Sequence, residues 1–266
     1  MIKELNNNWR KTASTLYRKP DDSKIFGSVE LDITELQQYI AKKRKEGLKI
    51  TLTHVFTLAT ARAIREKIPE LNTFIRRGNV VSFEQINTTV SVLLRENEMG
   101  SVKVEDTDKH TLQSFVPYLQ NKITEARTGL ENNTMQIKDK LAAIPWPLRG
   151  IVYWIIKKMM VDWGISIGSF NANGMGSFIV SNIGSLGLDN GYPALFPATN
   201  ISFVLIMGGV KKKPLVINDE VKIRTVISLG AALDHRVVDA SHAGILFKFY
   251  KTILRNPEVL EVSNVD

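Results

Sequence analysis

Residues 223–239 read IRTVISLGAALDHRVVD, and the way this stretch folds decides how the rest of the chain is arranged. Ile223, Thr225, Ile227, Leu229, Ala231 and Leu233 recur at every second position, the period of a strand whose alternate side chains share one face. The alternation stops at Leu233. Asp234, His235 and Arg236 follow, then two valines and Asp239. From Ala240 to Leu254 the apolar period becomes that of a helix, which stops before Asn256-Pro257. The pattern predicts a histidine in a turn between a buried strand and a helix, with a carboxylate four residues on. A scaffold would hold a general base rigidly in such a place.

Upstream, the same reading predicts a helix over 5–18, a strand over 24–31 and a helix over 35–46 that Asp32 or Thr34 caps and Gly47 ends. A helix capped by Thr53 runs towards Pro69. Ile86 to Leu94 alternates as a strand, Val102-Lys103-Val104 is a further short one, and 111–127 has a helical period with Pro117 in its first turns. Residues 174–187, GMGSFIVSNIGSLG, are an apolar strand from Ser177 to Val180 running into Ser181 and Asn182. Ile201–Val210 and Val221–Leu233 are strands. Residues 211–220, with Lys211-Lys212-Lys213, are expected to join them as a turn with a short intervening strand.

DHRVVDA resembles the histidine motif of the acyltransferase component of 2-oxoacid dehydrogenase complexes. The catalytic domain of that family is similar in fold to chloramphenicol acetyltransferase. Asp234, His235, Arg236 and Asp239 match the pattern, and Ala240 stands where the family has glycine. If that glycine needs a positive φ, alanine strains the turn; if it only opens the helix, alanine is harmless. Ser181-Asn182-Ile183-Gly184 is similar to the family's second motif. ELNNNWRKTAST and LTHVFTLATARAI resemble two of its helices, whereas RENEMGSVKVEDTD departs from its glycine-, valine- and proline-rich strand.

The resemblance implies an α/β fold like that of chloramphenicol acetyltransferase, a mixed, mostly antiparallel sheet with helices packed on it. It implies one catalytic domain over 1–266, with an unfamiliar helical insertion at about 130–170 and no lipoyl domain. The reaction implied is transfer of an acyl group from a coenzyme A thioester to an acceptor thiol, hydroxyl or amine. His235 would be the general base and Ser181 would stabilise the oxyanion. Asp239 would order the histidine turn by pairing with Arg10, Asp234 would fix the same turn, and Arg236 and Asn182 complete the two motifs. Coenzyme A is then a substrate; no metal and no lipoyl group on this chain are expected. A trimer with active sites shared between subunits follows from the same resemblance, with a lipoyl domain on another chain as one candidate acceptor.

Composition sets the outer limits. With 266 residues the chain is long enough to bury a full core, and having no cysteine it forms no disulfide and does no thiol catalysis. The start, MIKELNNNW, has no apolar run of a secretory signal, which makes the cytoplasm the expected compartment. A net charge of +8 favours anionic partners, but the basic runs are scattered and no nucleic-acid signature accompanies them. Between 130 and 170 the longest apolar run is Ile151–Ile156, far below the roughly 20 residues that span a bilayer. Residues 145–163 are expected to bury Trp146, Trp154 and Ile155 against protein, either this chain's own core or a neighbouring subunit, membrane contact being the less favoured reading.

Competing readings are weaker. His235, Asp239 and His242 have a spacing that suits a metal on one helix, but the strand continuing to Leu233 keeps His235 outside the helix. Gly164-Ile165-Ser166-Ile167-Gly168 fits a nucleophile elbow without the strand that an elbow requires. The alternative from another class is a catalytically retired relative that acts as an assembly or membrane-associated scaffold.

Overall fold

A computed structural model describes residues 23–93, 99–128, 144–145, 148–166 and 171–262. The elements are β1 (Lys24–Asp32), α1 (Thr34–Lys45), α2 (Leu52–Glu66), β2 (Thr73–Arg76), β3 (Asn79–Ser82), β4 (Thr88–Leu93), β5 (Met99–Val104), α3 (Leu112–Thr128), α4 (Leu148–Lys157), β6 (Phe178–Asn182), β7 (Phe203–Ile217), β8 (Glu220–Asp234) and α5 (Ala240–Arg255). Six strands form one sheet in the order β1-β8-β7-β6-β4-β5, and β2 and β3 form a separate hairpin. β6 runs parallel to both β7 and β4, while the other neighbours are antiparallel. This is the mixed, mostly antiparallel α/β sheet that the sequence implied. The predicted helix over 5–18, with Arg10, lies outside the described residues, as do residues 130–143 of the expected helical insertion.

Strand alternation divides the core in two. Phe203, Leu205 and Met207 of β7 point towards the helices and join one large apolar cluster with α2 and α5. Val204 and Ile206 point the other way and pack with Ile179 and Ile201. Residues 183–202 cover this second face, and close approach explains the glycines beneath them. A Cβ on Gly208 would lie 1.8 Å from the Asp189 carbonyl oxygen, and one on Gly230 would lie 2.2 Å from that of Gly191.

Helix α2 is buried over most of its circumference. It includes Arg62, whose guanidinium donates to the carbonyls of His110, Val259, Leu260 and Val262 and so ties the C-terminal turn to the core. Its N-cap is Thr51, not the expected Thr53: the Thr51 side chain accepts from His54 N, and His54 Nδ1 accepts from Thr51 N at 3.1 Å.

One further expectation is corrected, one hairpin was not foreseen, and one expectation is narrowed. No short strand intervenes at 211–220: β7 and β8 are both 15 residues long and Lys211-Lys212-Lys213 lies within β7. The hairpin closes through Asn218 and Asp219, both at positive φ (53° and 62°), which matches the right-handed strand twist. The β2–β3 hairpin was not legible as strands in the sequence. Finally, α4 has no buried residue: Trp154 is 60 % and Ile155 45 % exposed, so neither is buried against this chain. Trp146 lies outside the described residues.

Candidate active site

Strand β8 ends at Asp234 and α5 begins at Ala240, so His235 lies in the intervening turn, as its spacing predicted. Backbone bonds staple this turn on both sides, from Asp234 N to the Ser202 carbonyl and from His235 N to the Ser23 carbonyl at 2.8 Å. The amides of Val237 and Val238 both donate to the Asp234 carbonyl at 3.1 Å. The Asp234 side chain is buried. It accepts from the backbone N–H of Arg236 at 3.0 Å and from the Arg236 guanidinium. Burial pushes the Asp234 carboxyl up, but the bonds from Arg236 outweigh it and the group ends below the usual carboxylate range. Asp234 therefore stays ionised and fixes the turn.

The imidazole of His235 is oriented by its own turn. Its Nδ1 lies 2.9 Å from the Val238 carbonyl oxygen. A carbonyl only accepts, so Nδ1 carries the hydrogen of the neutral ring and Nε2 is left with the lone pair. The ring is exposed at a cleft of about 670 Å³ between edge strand β1 and helix α5. Phe26, Leu233, Ala243 and Phe247 give this cleft an apolar lining.

Asp239 does not touch His235. It is the N-cap of α5, and its Oδ1 accepts from Ser241 N at 2.8 Å and from the Ser241 hydroxyl at 2.6 Å. These bonds, with smaller help from His242, hold its pKa down to about 2. His242 closes the capping box by accepting from Asp239 N at 3.1 Å. Ala240 is the first residue of α5 and is not among the residues at positive φ. Alanine in place of glycine therefore puts no strain on this turn.

The second motif lies elsewhere on the sheet. Ser181 pairs in register with Ile206, and Ile206 with Gly230. His235 is thus five residues further along β8, roughly 16 Å at ~3.3 Å per residue, and two strand spacings of ~4.8 Å to the side. One chain does not bring Ser181 and His235 together. By strand alternation Ser181 faces the 183–202 segment, while Asn182 faces the helices and donates to the Thr53 hydroxyl at 3.3 Å.

Asn182 lines a second cleft of about 460 Å³, with Lys49, Thr51, Thr53, His54 and Arg127. His54 was missed in the sequence. Its signal was the Thr51-x-x-His54 spacing at a helix start, in which the ring replaces the usual glutamate or glutamine of a capping box. Because Thr51 N donates to Nδ1, the hydrogen of the neutral ring is on Nε2, which is buried with no partner; the ring stands nearly perpendicular to that of Phe115. Desolvation pushes the His54 pKa down to about 4.

Residues 169–262, which contain both motifs, match the family model described as 2-oxoacid dehydrogenases acyltransferase (catalytic domain). The dihydrolipoyllysine-residue acetyltransferase component of the Acholeplasma laidlawii pyruvate dehydrogenase complex is 35% identical over 89 residues, 33% of this chain and 16% of the relative. The corresponding component from Rickettsia prowazekii is 23% identical over 262 residues, 96% of this chain and 54% of the relative. The chain thus spans about half the length of a relative that it matches almost end to end. Among solved structures, the cubic core of the pyruvate dehydrogenase multienzyme complex superposes with a TM-score of 0.66 at 16% identity, covering 91% of this chain and 85% of that one. The fold is shared with these acyltransferase cores.

Proposed function

We propose, on the premise that the chain resembles 2-oxoacid dehydrogenase acyltransferase catalytic domains in both motifs and in fold, that it moves an acyl group between coenzyme A and an acceptor thiol, hydroxyl or amine. The observation that carries this reading is the His235 ring, held by Val238 with its basic Nε2 available at an open cleft. Nε2 takes the acceptor's proton as the acceptor attacks the thioester carbonyl carbon. The tetrahedral oxyanion then collapses and expels the coenzyme A thiolate, which takes the proton back from the imidazolium. A positioned base of this kind contributes about 10²–10⁴ in rate. Where the acceptor is a thiol the reaction is a thioester exchange and runs in either direction. The relatives are named for transfer to a dihydrolipoyllysine residue, so a lipoyl thiol on another domain or chain is the first acceptor to try.

Ser181 is the proposed oxyanion donor, worth about 10²–10³. Its distance from His235 within one chain supports a site completed by a neighbouring subunit, in a closed ring with a heterologous interface. A trimer is the proposed assembly. The test mixes His235→Ala and Ser181→Ala chains, unfolds them and refolds them together. Random assembly pairs intact His235 with intact Ser181 at about a quarter of the interfaces, so activity should return although each parent lacks it. Parental activity in mixed assemblies of demonstrated composition sinks the shared site. The absence of turnover in the wild type with any acyl-coenzyme A and dihydrolipoamide, thiol, alcohol or amine acceptor sinks the enzyme reading.

A further inference from the structure

Helix α4 presents Leu148, Ile151, Trp154 and Ile155 at helical positions i, i+3, i+6 and i+7, which puts them on one side, and all four are exposed. Apolar exposure continues past the helix. A π turn over Lys158–Asp162 buries Met160, and beyond it Trp163 is 49 % exposed and Ile165 is exposed as well. Ile165 N donates to the Met159 carbonyl within this segment, and Arg77, from the β2–β3 turn, ties the segment to the body of the chain by donating to the Trp163 carbonyl. The helix is thus fixed at its C-terminal end with its apolar side turned outward. No acidic residue occurs from Pro145 to Val161, a stretch that contains Arg149, Lys157 and Lys158. The Lys158 ammonium sits 5.4 Å from the centre of the Trp154 ring, so a cation borders the apolar face directly.

Charge and length narrow what can cover this face. α4 has 10 residues, half of the roughly 20 that cross a bilayer, and no described helix is long and apolar enough to do so. A short helix with tryptophan on its apolar side and lysines beside it suits the boundary between headgroups and acyl chains. The same face of a second copy is a poorer complement, because a two-fold contact would set Arg149, Lys157 and Lys158 against their own counterparts. We propose that α4 docks in the plane of an anionic lipid bilayer, with Leu148, Ile151, Trp154 and Ile155 against the acyl chains and Lys157 and Lys158 among the headgroups.

The proposal does not rest on acyl transfer, and a chain with no transferase activity should behave in the same way. The full chain is sedimented with phosphatidylcholine vesicles with and without phosphatidylglycerol. It should bind the anionic vesicles, with a blue shift of tryptophan fluorescence, and be released by salt. The double substitution Ile151→Asn with Trp154→Asn should weaken binding by at least about tenfold, and Lys157→Glu with Lys158→Glu should remove its salt-sensitive part. Ile151, Trp154 and Lys157 are on a helix with no buried residue and Lys158 is an exposed residue at the start of the π turn, and circular dichroism checks that the fold survives. Absence of binding, or binding that ignores both pairs of substitutions, overturns the proposal. So does a wild type that ignores vesicles while the Ile151/Trp154 variant loses mass in light scattering, which assigns the face to a second copy.

Discussion

The two ends of the sheet are built for different tasks. At the end where β8 meets β1, the turn from Asp234 to Asp239 is tied down by backbone bonds from two directions, by a buried carboxylate and by a helix cap. What it presents is a single ring with a fixed tautomer, at the mouth of an apolar cleft. At the end where β6 finishes, inside the sheet between β7 and β4, the cleft is lined by lysine, arginine, threonine and asparagine side chains and backed by a buried neutral histidine. One end leaves a ring nitrogen free at an apolar cleft, and the other gathers polar side chains. The strand register holds them apart, which is the arrangement that the proposed sharing of sites between subunits requires.

The largest expected effects test that division. His235→Ala should lower acyl-transfer kcat by about 10²–10⁴ and Ser181→Ala by about 10²–10³, both with the thermal unfolding of the wild type. Steady-state kinetics on the two variants would break the comparison if either kept near wild-type turnover.

A smaller effect sharpens the other end. His54 is neutral when folded, with its pKa depressed to about 4 from the usual 6.5, so on acidification the unfolded chain takes up this proton first. Its contribution to stability is complete above pH ~6.5 and is lost as pH falls towards ~4. His54→Gln keeps a cap-box acceptor without the titration. Its urea midpoint should therefore fall less than that of the wild type between pH 7 and pH 5. Equal slopes would remove His54 from the account.

The smallest expected effect concerns the family glycine. Ala240→Gly should leave kcat within about twofold and destabilise the chain by no more than about 1 kcal/mol, the cost of glycine in a helix. A gain of tenfold or more in kcat would mean that the alanine methyl obstructs the histidine cleft.

Local chemistry carried much of this protein in its sequence. The switch from period two to helical period around Asp234–Asp239 placed His235 outside the helix, because alternation and capping depend on residues within a few positions of one another. The order of the main strands and helices followed from the same local rules. Where a strand's partner or a helix's surroundings mattered, the sequence was silent. Lys211-Lys212-Lys213 looked like a turn, yet it lies in β7 opposite Val226, Thr225 and Arg224, and cross-strand pairing overrides the low strand preference of lysine. The helix period of α4 marked an apolar face but not what would cover it: α2 is enclosed by α3, α5 and the sheet, whereas among the described residues α4 meets little beyond its own π turn. The distance between Ser181 and His235 was equally hidden. Each residue ends a strand by local rules, but which ends adjoin is decided by the order β8-β7-β6 and by the direction in which each strand runs.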